Sequence, residues 1–380
     1  MKDLISKYLD QVIEVNNYLS DHPEIGGEEI ESSKKIVELL RKHNIEVEYP
    51  FLDMPTAFRG IINKGKETKA AILVEYDALR GIGHACGHCA SAAISLLSAL
   101  VLNDIKEEIP AEIHIIGTPD EEMRGGKVPM VNKGVFDNMD FAIMMHMSNA
   151  NVVFSGSLAL DAYLFEFHGK PAHAASIPWE GRNALNAGRL FLDSVDMMRQ
   201  HVKDDVRLHG YIQNGGDASN IVPHYVSIEM LVRAKDRAYL NEVSGWVMDC
   251  AAGAALATRT SFTSSQIGEK YDGLKRNKAG EEILKGLFKD LNLDLTDMGD
   301  KTGGSSDIGN VSQVIPAFHP YISIGEGLHA HTKEFALAMK TQRNYKAIEN
   351  GGEILARFVR DVYKSKESLE KIKADFNMMK

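Results

Sequence analysis

The sequence predicts an α/β fold with a mostly parallel sheet, interrupted by a smaller inserted α+β domain. Helix and strand signals alternate from the N-terminus to about Val153, which is typical of a parallel sheet covered by helices. The strand AAILV at residues 70–74 is apolar throughout, as expected for a strand buried on both sheet faces. After Val153 the order becomes strand, helix, strand, strand, helix, and the alternation resumes after about Lys270.

The elements of the first part follow from apolar periodicity and turn residues. Apolar side chains recur at helical spacing in two N-terminal segments, the first of which ends before Asp21-His22-Pro23. Runs of apolar and β-branched residues predict the strands. The predicted helices are Leu4–Leu19, Glu28–His43, Gly87–Leu102 and Lys127–Lys133, and the predicted strands are Ile45–Tyr49, Ala57–Ile62, Ala70–Val74, Ala111–Gly117 and Phe141–Met145.

The rest of the chain divides into an insertion and a second α/β half. The predicted boundaries are 1–156 for the first half, 157–268 for the insertion and 269–380 for the second half. The insertion has predicted strands at 158–169, Val206–Gln213 and Tyr225–Ala234, with helices at Arg182–Asp204 and Arg237–Leu256. The second half has predicted helices at Lys278–Leu291 and Thr341–Tyr363 and a strand at Pro320–Ile324, whereas the polar tail after Tyr363 gives no signal.

Composition excludes several classes of protein. The 380 residues are 44% hydrophobic and 25% charged, close to the globular average. The net charge of −10 and the lack of a basic run argue against a nucleic-acid partner. No apolar stretch approaches the ~20 residues of a membrane span, so no membrane partner is expected. The N-terminus shows no secretory signal, which predicts a cytoplasmic protein.

Ionisable residues cluster directly after four predicted strands, where open α/β sheets place their ligand sites. Thiolate and imidazole groups among them suit a transition metal such as zinc. A lone histidine or acidic pair at a strand end is usually a solvated loop, but four clusters at successive strand ends indicate a metal site. The clusters are Asp77 with His84, Cys86, His88 and Cys89; Asp120, Glu121 and Glu122; His146; and His329 with His331.

The pair Cys86 and Cys89 also spells a C-x-x-C motif, so a thiol–disulfide oxidoreductase is a rival prediction. The context argues against it, because Ala85 stands where such motifs usually have Trp, and redox chemistry leaves Glu121 and His146 unexplained. At a helix start the two sulfurs can meet and a thiolate is stabilised by the helix N-terminus. We therefore expect the metal-free protein to form a Cys86–Cys89 disulfide under mild oxidation.

Taken together, the motifs resemble the zinc-dependent aminoacylases and carboxypeptidases, and within them the amidohydrolase branch that includes hippurate hydrolases. The segments PWEGRNALNA and DIGNVSQ are most similar to aminobenzoyl-glutamate hydrolases and to dipeptidases acting on β-alanyl-lysine-type substrates. The resemblance implies a phosphorylase/hydrolase-like catalytic domain with an inserted ferredoxin-like lid and dimerisation domain. The matching motifs are HPEIGGEE, EYDAL, GHACGH, TPDEE, HGKPAHAASIPWEGRNAL, SNIVP, SSDIGNVSQVIP and HTKEF.

The resemblance also implies two divalent metal ions, zinc or manganese, and a role for individual residues. Two such ions can lower the pKa of a shared water and polarise the scissile carbonyl. Glu121 matches the general base that accepts the proton of that water and passes it to the leaving amine. The implied metal ligands are Cys86, His88, Glu122, His146 and His331.

Three further residues complete the predicted site. His173 matches the lid histidine that hydrogen-bonds the carbonyl oxygen as charge develops on it. Asn220 contacts the substrate carboxylate or amide, or else only satisfies its own turn. Asp77 is expected to orient a ligand imidazole. Two positions depart from the family pattern, because Cys89 replaces the usual Asp or Asn and Ser91 replaces a frequent His.

We therefore expect a binuclear metal-dependent amidohydrolase that cleaves a linear amide bond of an N-acyl amino acid or a short peptide. A broader aminopeptidase or endopeptidase is the alternative within this class. A metal-free binding protein is the alternative outside it, against which Glu121 argues, because a binding protein needs no general base. The strand LALDAYLFEF offers an edge for pairing two lids, so a homodimer or homotetramer is expected.

Overall fold

The computed structural model describes residues 1–299 and 304–378. The helices are α1 Lys2–Asp21, α2 Ile30–Lys42, α3 His88–Asp104, α4 Lys127–Asn132, α5 Ala184–Met198, α6 Arg237–Thr258, α7 Lys278–Asp290, α8 Ile308–Val314, α9 Lys333–Ala338, α10 Gln342–Lys364 and α11 Lys366–Asn377. The strands are β1 Glu46–Glu48, β2 Phe58–Ile62, β3 Thr68–Val74, β4 Ala111–Gly117, β5 Phe141–Ile143, β6 His146–Ser148, β7 Ala159–His168, β8 Arg207–Asn214, β9 Tyr225–Ala234, β10 Ser261–Gln266, β11 Ala317–Phe318 and β12 Tyr321–Ser323.

The chain forms two compact units. One comprises Met1–Gly156 with the residues from Leu274 onward, and the other comprises Ser157–Gly273. The first unit contains a six-stranded sheet in the order β1-β2-β4-β3-β5-β11. The β4–β3, β3–β5 and β5–β11 pairings are parallel, and β6 pairs with β12 in a separate parallel ribbon. The predicted α/β fold with a mostly parallel sheet is confirmed.

Helix α3 is the centre of the first unit. Every residue from His88 to Leu102 is buried, and the helix packs against α1, α10 and β3. Its small residues allow this close approach, and its buried hydroxyls find backbone acceptors: Ser91 donates to Met145 O over 2.6 Å and Ser95 to Leu73 O over 2.8 Å. The first turn of α3 is thereby fixed beside the carboxyl ends of the parallel strands.

The second unit has the order β7-α5-β8-β9-α6-β10, with an antiparallel sheet arranged β10-β7-β9-β8. This βαββαβ order is that of ferredoxin-like folds. Side chains that accept backbone N–H groups begin both helices, Asn183 for α5 and Asp236 for α6. The residues of β7 alternate between buried and half-buried, as expected for a strand with one face on a core.

One prediction about this unit is wrong. The strand LALDAYLFEF does not offer an edge, because β7 pairs with β9 on one side and with β10 on the other. The sequence of β10, SFTSSQ, is too polar to give a strand signal, and most of its residues are exposed. The edges of this sheet are β10 and β8.

Two other differences concern helices. The predicted helix Arg182–Asp204 ends earlier, since α5 stops at Met198 and a short 3-10 turn follows. Helix α11 lies in the tail that gave no signal, yet Leu369, Ile372 and Phe376 are spaced to bury one face of it. Among the described residues, no helix has both the length and the apolar character needed to cross a membrane.

The packing of α10 on α3 generates a stability prediction. A Cβ added at Gly352 would lie 2.5 Å from Leu97 Cδ2, whereas at Gly286, an exposed glycine inside α7, nothing lies within 4 Å. Gly352→Ala should therefore lower the free energy of unfolding by about 1–3 kcal/mol through overpacking. Gly286→Ala should raise it by about 0.5–1 kcal/mol, because Ala is the better helix former. Urea unfolding curves measure both, and equal stabilities of the two variants would contradict this packing.

Candidate metal centre

The candidate metal centre lies in the first unit, at the carboxyl ends of neighbouring parallel strands. Glu75 and Asp77 follow β3, Glu121 lies in the loop after β4, and His146 opens β6 shortly after β5. Parallel strands end at the same edge of a sheet, so residues far apart in sequence meet here.

One set of donors is formed by Cys86, His88 and His146, whose ligand atoms all lie within 4.8 Å of one another. Cys86 Sγ lies 3.4 Å from His146 Nε2, and His146 Nδ1 lies 2.8 Å from Met147 O. His88 Nδ1 lies 2.9 Å from Asp77 Oδ1. Both imidazoles therefore carry their proton on Nδ1 when neutral, which leaves each Nε2 lone pair for a metal ion.

A second set of donors shares the Cys86 thiol. Cys86, Glu122 and His331 offer ligand atoms within 4.8 Å of one another, and Glu122 Oε2 lies 3.8 Å from His331 Nε2. His88, Glu121 and Glu122 form a further combination within the same limit. All five predicted ligands and the predicted base are thus brought together, and Cys86 belongs to two of the donor sets.

Unusual backbone conformations position these side chains. His331 has a left-handed φ of 65°, and its N–H donates to Ala85 O over 2.8 Å, which ties it to the loop of Cys86. Gly87 has φ 92°, and a Cβ there would lie 2.9 Å from the Met147 side chain. A glycine between Cys86 and His88 is therefore required by both conformation and space.

The loop that carries Glu121 is supported from the N-terminal motif HPEIGGEE. The buried Glu29 carboxylate accepts the Asp120 N–H over 2.7 Å, and Asp120 itself has a left-handed φ of 64°. A Cβ at Gly26 would lie 2.2 Å from Asp120 Oδ1, so this glycine allows the close approach. On the other side, the Glu122 N–H donates to Asp77 Oδ2 over 2.9 Å.

The donors of this centre fit divalent metal ions. Among the described residues, four buried atoms on residues of this centre have no hydrogen-bond partner: His88 Nε2, Glu122 Oε1, Glu75 Oε2 and His319 Nε2. Buried polar atoms are normally paired, so each such atom calls for an explanation. Sulfur, imidazole nitrogen and carboxylate oxygen together are the ligands that zinc takes in proteins.

The charges of the centre also favour cations. The described cluster contains five carboxyl groups, those of Glu75, Asp77, Glu121, Glu122 and Asp307, and a single ammonium group, that of Lys127. With these six groups ionised and the imidazoles neutral, the net charge of the cluster is −4. Burying uncompensated charge is very costly, and two divalent ions would balance it.

Burial and these charges shift the pKa values of two carboxyl groups in opposite directions. Burial, reinforced by the Glu75 and Asp307 carboxylates, raises the pKa of Glu121 well above its ordinary value. Burial alone would raise the pKa of Glu75 too, but the Lys127 ammonium together with the imidazoles of His88, His146 and His319 outweighs it and lowers this pKa to about 2. In the absence of nearby metal cations, the raised pKa therefore favours the protonated form of Glu121.

Burial argues against a reactive thiolate at the C-x-x-C motif, whereas the expected Cys86–Cys89 disulfide under mild oxidation stays a prediction. Burial raises the pKa of the Cys86 thiol, and it raises that of Cys89 to about 12. The expected stabilisation of a thiolate by the helix N-terminus is therefore outweighed by burial. All three cysteines are free, and Cys89 is buried in the first turn of α3.

His173 and Asn220 lie together in the second unit. The Ala174 N–H donates to Asn220 O over 3.0 Å, so the two loops are joined. His173 is exposed, and its Nδ1 accepts the N–H groups of Ala175 and Ser176 over 3.3 and 3.2 Å. The proton of the neutral imidazole is therefore on Nε2, which is available as a hydrogen-bond donor.

Sequence reasoning missed several buried residues of the centre. For Asp307 the sequence does not distinguish a substrate contact from a turn, but its carboxylate is fully buried and bonds Lys127. Glu75 directly follows β3, so the strand-end rule that singled out Asp77 could have found it. His319 is buried with its ring 5.5 Å from that of His146, and nothing in its local sequence marks it.

Comparisons with known proteins agree with this fold. Residues 67–361 match the family described as Peptidase family M20/M25/M40. The human Xaa-Arg dipeptidase is 33% identical over 347 residues, which cover 87% of this chain and 79% of that protein. One of the p-aminobenzoyl-glutamate hydrolase polypeptides of Escherichia coli (strain K12) is 29% identical and aligns over 68% of this chain and 59% of that protein.

Solved structures show the same fold. The aminobenzoyl-glutamate utilization protein of Klebsiella pneumoniae superposes with a TM-score of 0.75 at 19% identity, covering 95% of this chain and 99% of that one. A dinuclear metal-binding M20 peptidase of Bacillus subtilis superposes with a TM-score of 0.72 at 17% identity, covering 94% and 99%. The match over most of the chain and the 33% identity to a dipeptidase lead to one conclusion: the chain is a hydrolase that belongs to peptidase family M20/M25/M40.

Proposed function

We propose that this protein hydrolyses a linear amide bond of a dipeptide or N-acyl amino acid with two divalent metal ions. The observation that supports it most directly is the pair of donor sets that share Cys86. One ion would be held by Cys86, His88 and His146, and the other by Cys86, Glu122 and His331. When bound, the ions would lower the pKa of a water molecule and polarise the scissile carbonyl.

Glu121 is proposed as the general base, and Glu122 as the ligand. Glu122 belongs to a donor set with Cys86, and its N–H is fixed by Asp77. Glu121 lies within reach of His88 and Glu122 as well, but it belongs to neither of the two donor sets that share Cys86, and it borders Glu75 and Asp307. Its carboxylate would take a proton from the attacking water and pass it to the leaving amine.

His173 is proposed to stabilise the oxyanion. The N–H groups of Ala175 and Ser176 occupy its Nδ1, which leaves an Nε2–H to donate to the carbonyl oxygen as negative charge develops there. Asn220, on the adjoining loop, is proposed to contact the substrate carboxylate or amide. Both residues belong to the second unit, for which we propose the role of lid.

The similar proteins suggest which substrates to test first. One is named Xaa-Arg dipeptidase and another p-aminobenzoyl-glutamate hydrolase, so the first panel is dipeptides with Arg or Lys at the C-terminus, followed by aroyl-glutamates. Hydrolysis of longer peptides or of internal bonds would favour the broader peptidase instead. If the metal-loaded protein hydrolyses none of the compounds in this panel, the proposal is contradicted.

We propose a homodimer formed through the second unit. The edge strand β8 exposes most of its residues, including Tyr211 at 55% and Ile212 at 39%. An exposed edge with apolar side chains invites pairing with another chain. A two-fold axis at β8 would pair the β8 strand of one chain with the β8 strand of the other.

The assignment of the two adjacent glutamates can be tested by making the same Glu→Gln substitution at each position. Glu121→Gln should keep two ions per chain while kcat falls by about 10²–10⁴, because the proton acceptor is lost. Glu122→Gln should lose metal, because an amide is a poor replacement for a carboxylate ligand. Elemental analysis and steady-state kinetics measure both variants, and an active Glu121→Gln enzyme with full metal content would contradict the assignment.

Mixing two inactive variants tests whether His173 acts in catalysis by its own chain or by the partner chain. If His173 acts across the dimer, heterodimers of His173→Ala and Glu121→Gln chains contain one site with both residues intact, and activity should return. Heterodimers are quantified with two affinity tags. Heterodimers without activity would show that His173 serves its own chain, and a monomer by sedimentation would contradict the proposed dimer.

A further inference from the structure

Lys127 is fully buried beside the candidate metal centre. Its ammonium nitrogen lies 2.5 Å from Glu75 Oε1 and 2.6 Å from Asp307 Oδ1. The backbone N–H of Lys127 donates to Asp307 Oδ2 over 2.8 Å. Glu75 and Asp307 are buried as well. The three residues come from three places in the chain: Glu75 follows β3, Lys127 opens α4 and Asp307 precedes α8.

A buried ion cluster of this kind is weak evidence for a stabilising role. Removing charges from water costs free energy that their mutual attraction barely offsets, and apolar residues of similar volume are often at least as stable. Breaking one pair of an existing cluster is destabilising, but this does not explain why the cluster is there. The cluster of Glu75, Lys127 and Asp307 therefore calls for a role other than holding the fold together.

The position of Glu121 suggests that role. Glu75, Asp307 and Glu121 each present an oxygen, and the three oxygens lie within 4.8 Å of one another. Carboxylates at such distances repel one another unless a cation lies among them. Lys127 supplies this cation, and by bonding Glu75 and Asp307 it fixes the two groups that border Glu121.

The network also reaches the metal donors. Glu75 uses Oε1 to bind Lys127, and its Oε2 lies 3.4 Å from His88 Nε2. Lys127 follows the Glu121–Glu122 loop directly in the chain, so its side chain anchors the end of that loop as well. No other Lys or Arg side chain among the described residues forms an ion pair with Glu75 or Asp307.

We propose that Lys127 is a positioning residue for the general base: it holds Glu75 and Asp307 so that the Glu121 carboxylate can reach the attacking water. This inference rests on the proposed function, because it requires Glu121 as the base. Lys127 itself touches neither substrate nor metal in this proposal. Its loss should therefore lower kcat and leave KM and metal content unchanged.

A double-mutant cycle tests whether Lys127 acts through Glu121. The variants are Lys127→Met, Glu121→Gln and the combination of both, each loaded with metal. Lys127→Met should lower kcat on the order of 10- to 100-fold, since small misplacements of catalytic groups cost that much. In the Glu121→Gln background the same substitution should have no further effect, because the group that Lys127 positions is already disabled.

Two further variants keep the test interpretable. Lys133→Met is the matched control, because Lys133 follows α4 with a side chain 46% exposed, donates to Leu52 O and lies 4.0 Å from the exposed Asp53 carboxylate. Its kcat should equal that of the wild type. If Lys127→Met does not fold, Glu75→Gln replaces it, since this isosteric change keeps the Lys127–Asp307 pair. In the same cycle, Glu75→Gln should lower kcat when Glu121 is present and should have no further effect in the Glu121→Gln background.

The outcomes separate this inference from the proposed function. If Lys127→Met lowers kcat by the same factor with Glu121 present and with Gln at position 121, Lys127 has a general structural role. That result would overturn the inference but not the proposed function. A kcat loss that is fully accounted for by lost metal would have the same consequence. Metal content is measured by elemental analysis on every variant, independently of activity. A fully active Glu121→Gln enzyme would overturn the proposed function, and the inference with it.

Discussion

The structure depends on one electrostatic constraint: several carboxylates are buried at one edge of a parallel sheet and need positive charge nearby. The edge collects them because β3 and β4 end opposite each other, and Glu75, Asp77 and Glu121 follow these two strands. Lys127 compensates part of this charge within the chain itself. The remainder would be balanced by the two divalent ions that we propose, which would also use the Nε2 lone pair of His88.

Rigid local structure holds these side chains in place. Helix α3 begins at His88 and is buried over nearly its whole length, so it cannot shift easily. The left-handed residues Gly87, Asp120 and His331 turn the backbone where three donor-bearing loops approach each other. Such conformations cost free energy in non-glycine residues and persist where the surroundings determine them strongly, as they do at functional sites.

Much of this arrangement could be predicted from the sequence. The apolar strand AAILV and the charged residues that follow it placed Asp77, Cys86 and His88 at a strand end, because burial and the chain direction of parallel strands are visible locally. Strand β10 was missed because its residues are polar, and pairing with β7 rather than apolar pattern determines it. The Lys127–Asp307 pair was missed because it joins residues 180 positions apart, which no local pattern records.

The sharing of Cys86 by two donor sets is the central claim, and metal binding tests it most directly. Metal-free wild-type protein dialysed against Zn²⁺ or Mn²⁺ should bind two ions per chain, since each set supplies three donors. Cys86→Ala should impair both sites, whereas His146→Ala and His331→Ala should each impair one. A wild-type protein that binds no ion, or a Cys86→Ala protein that still binds two with native affinity, would contradict the account.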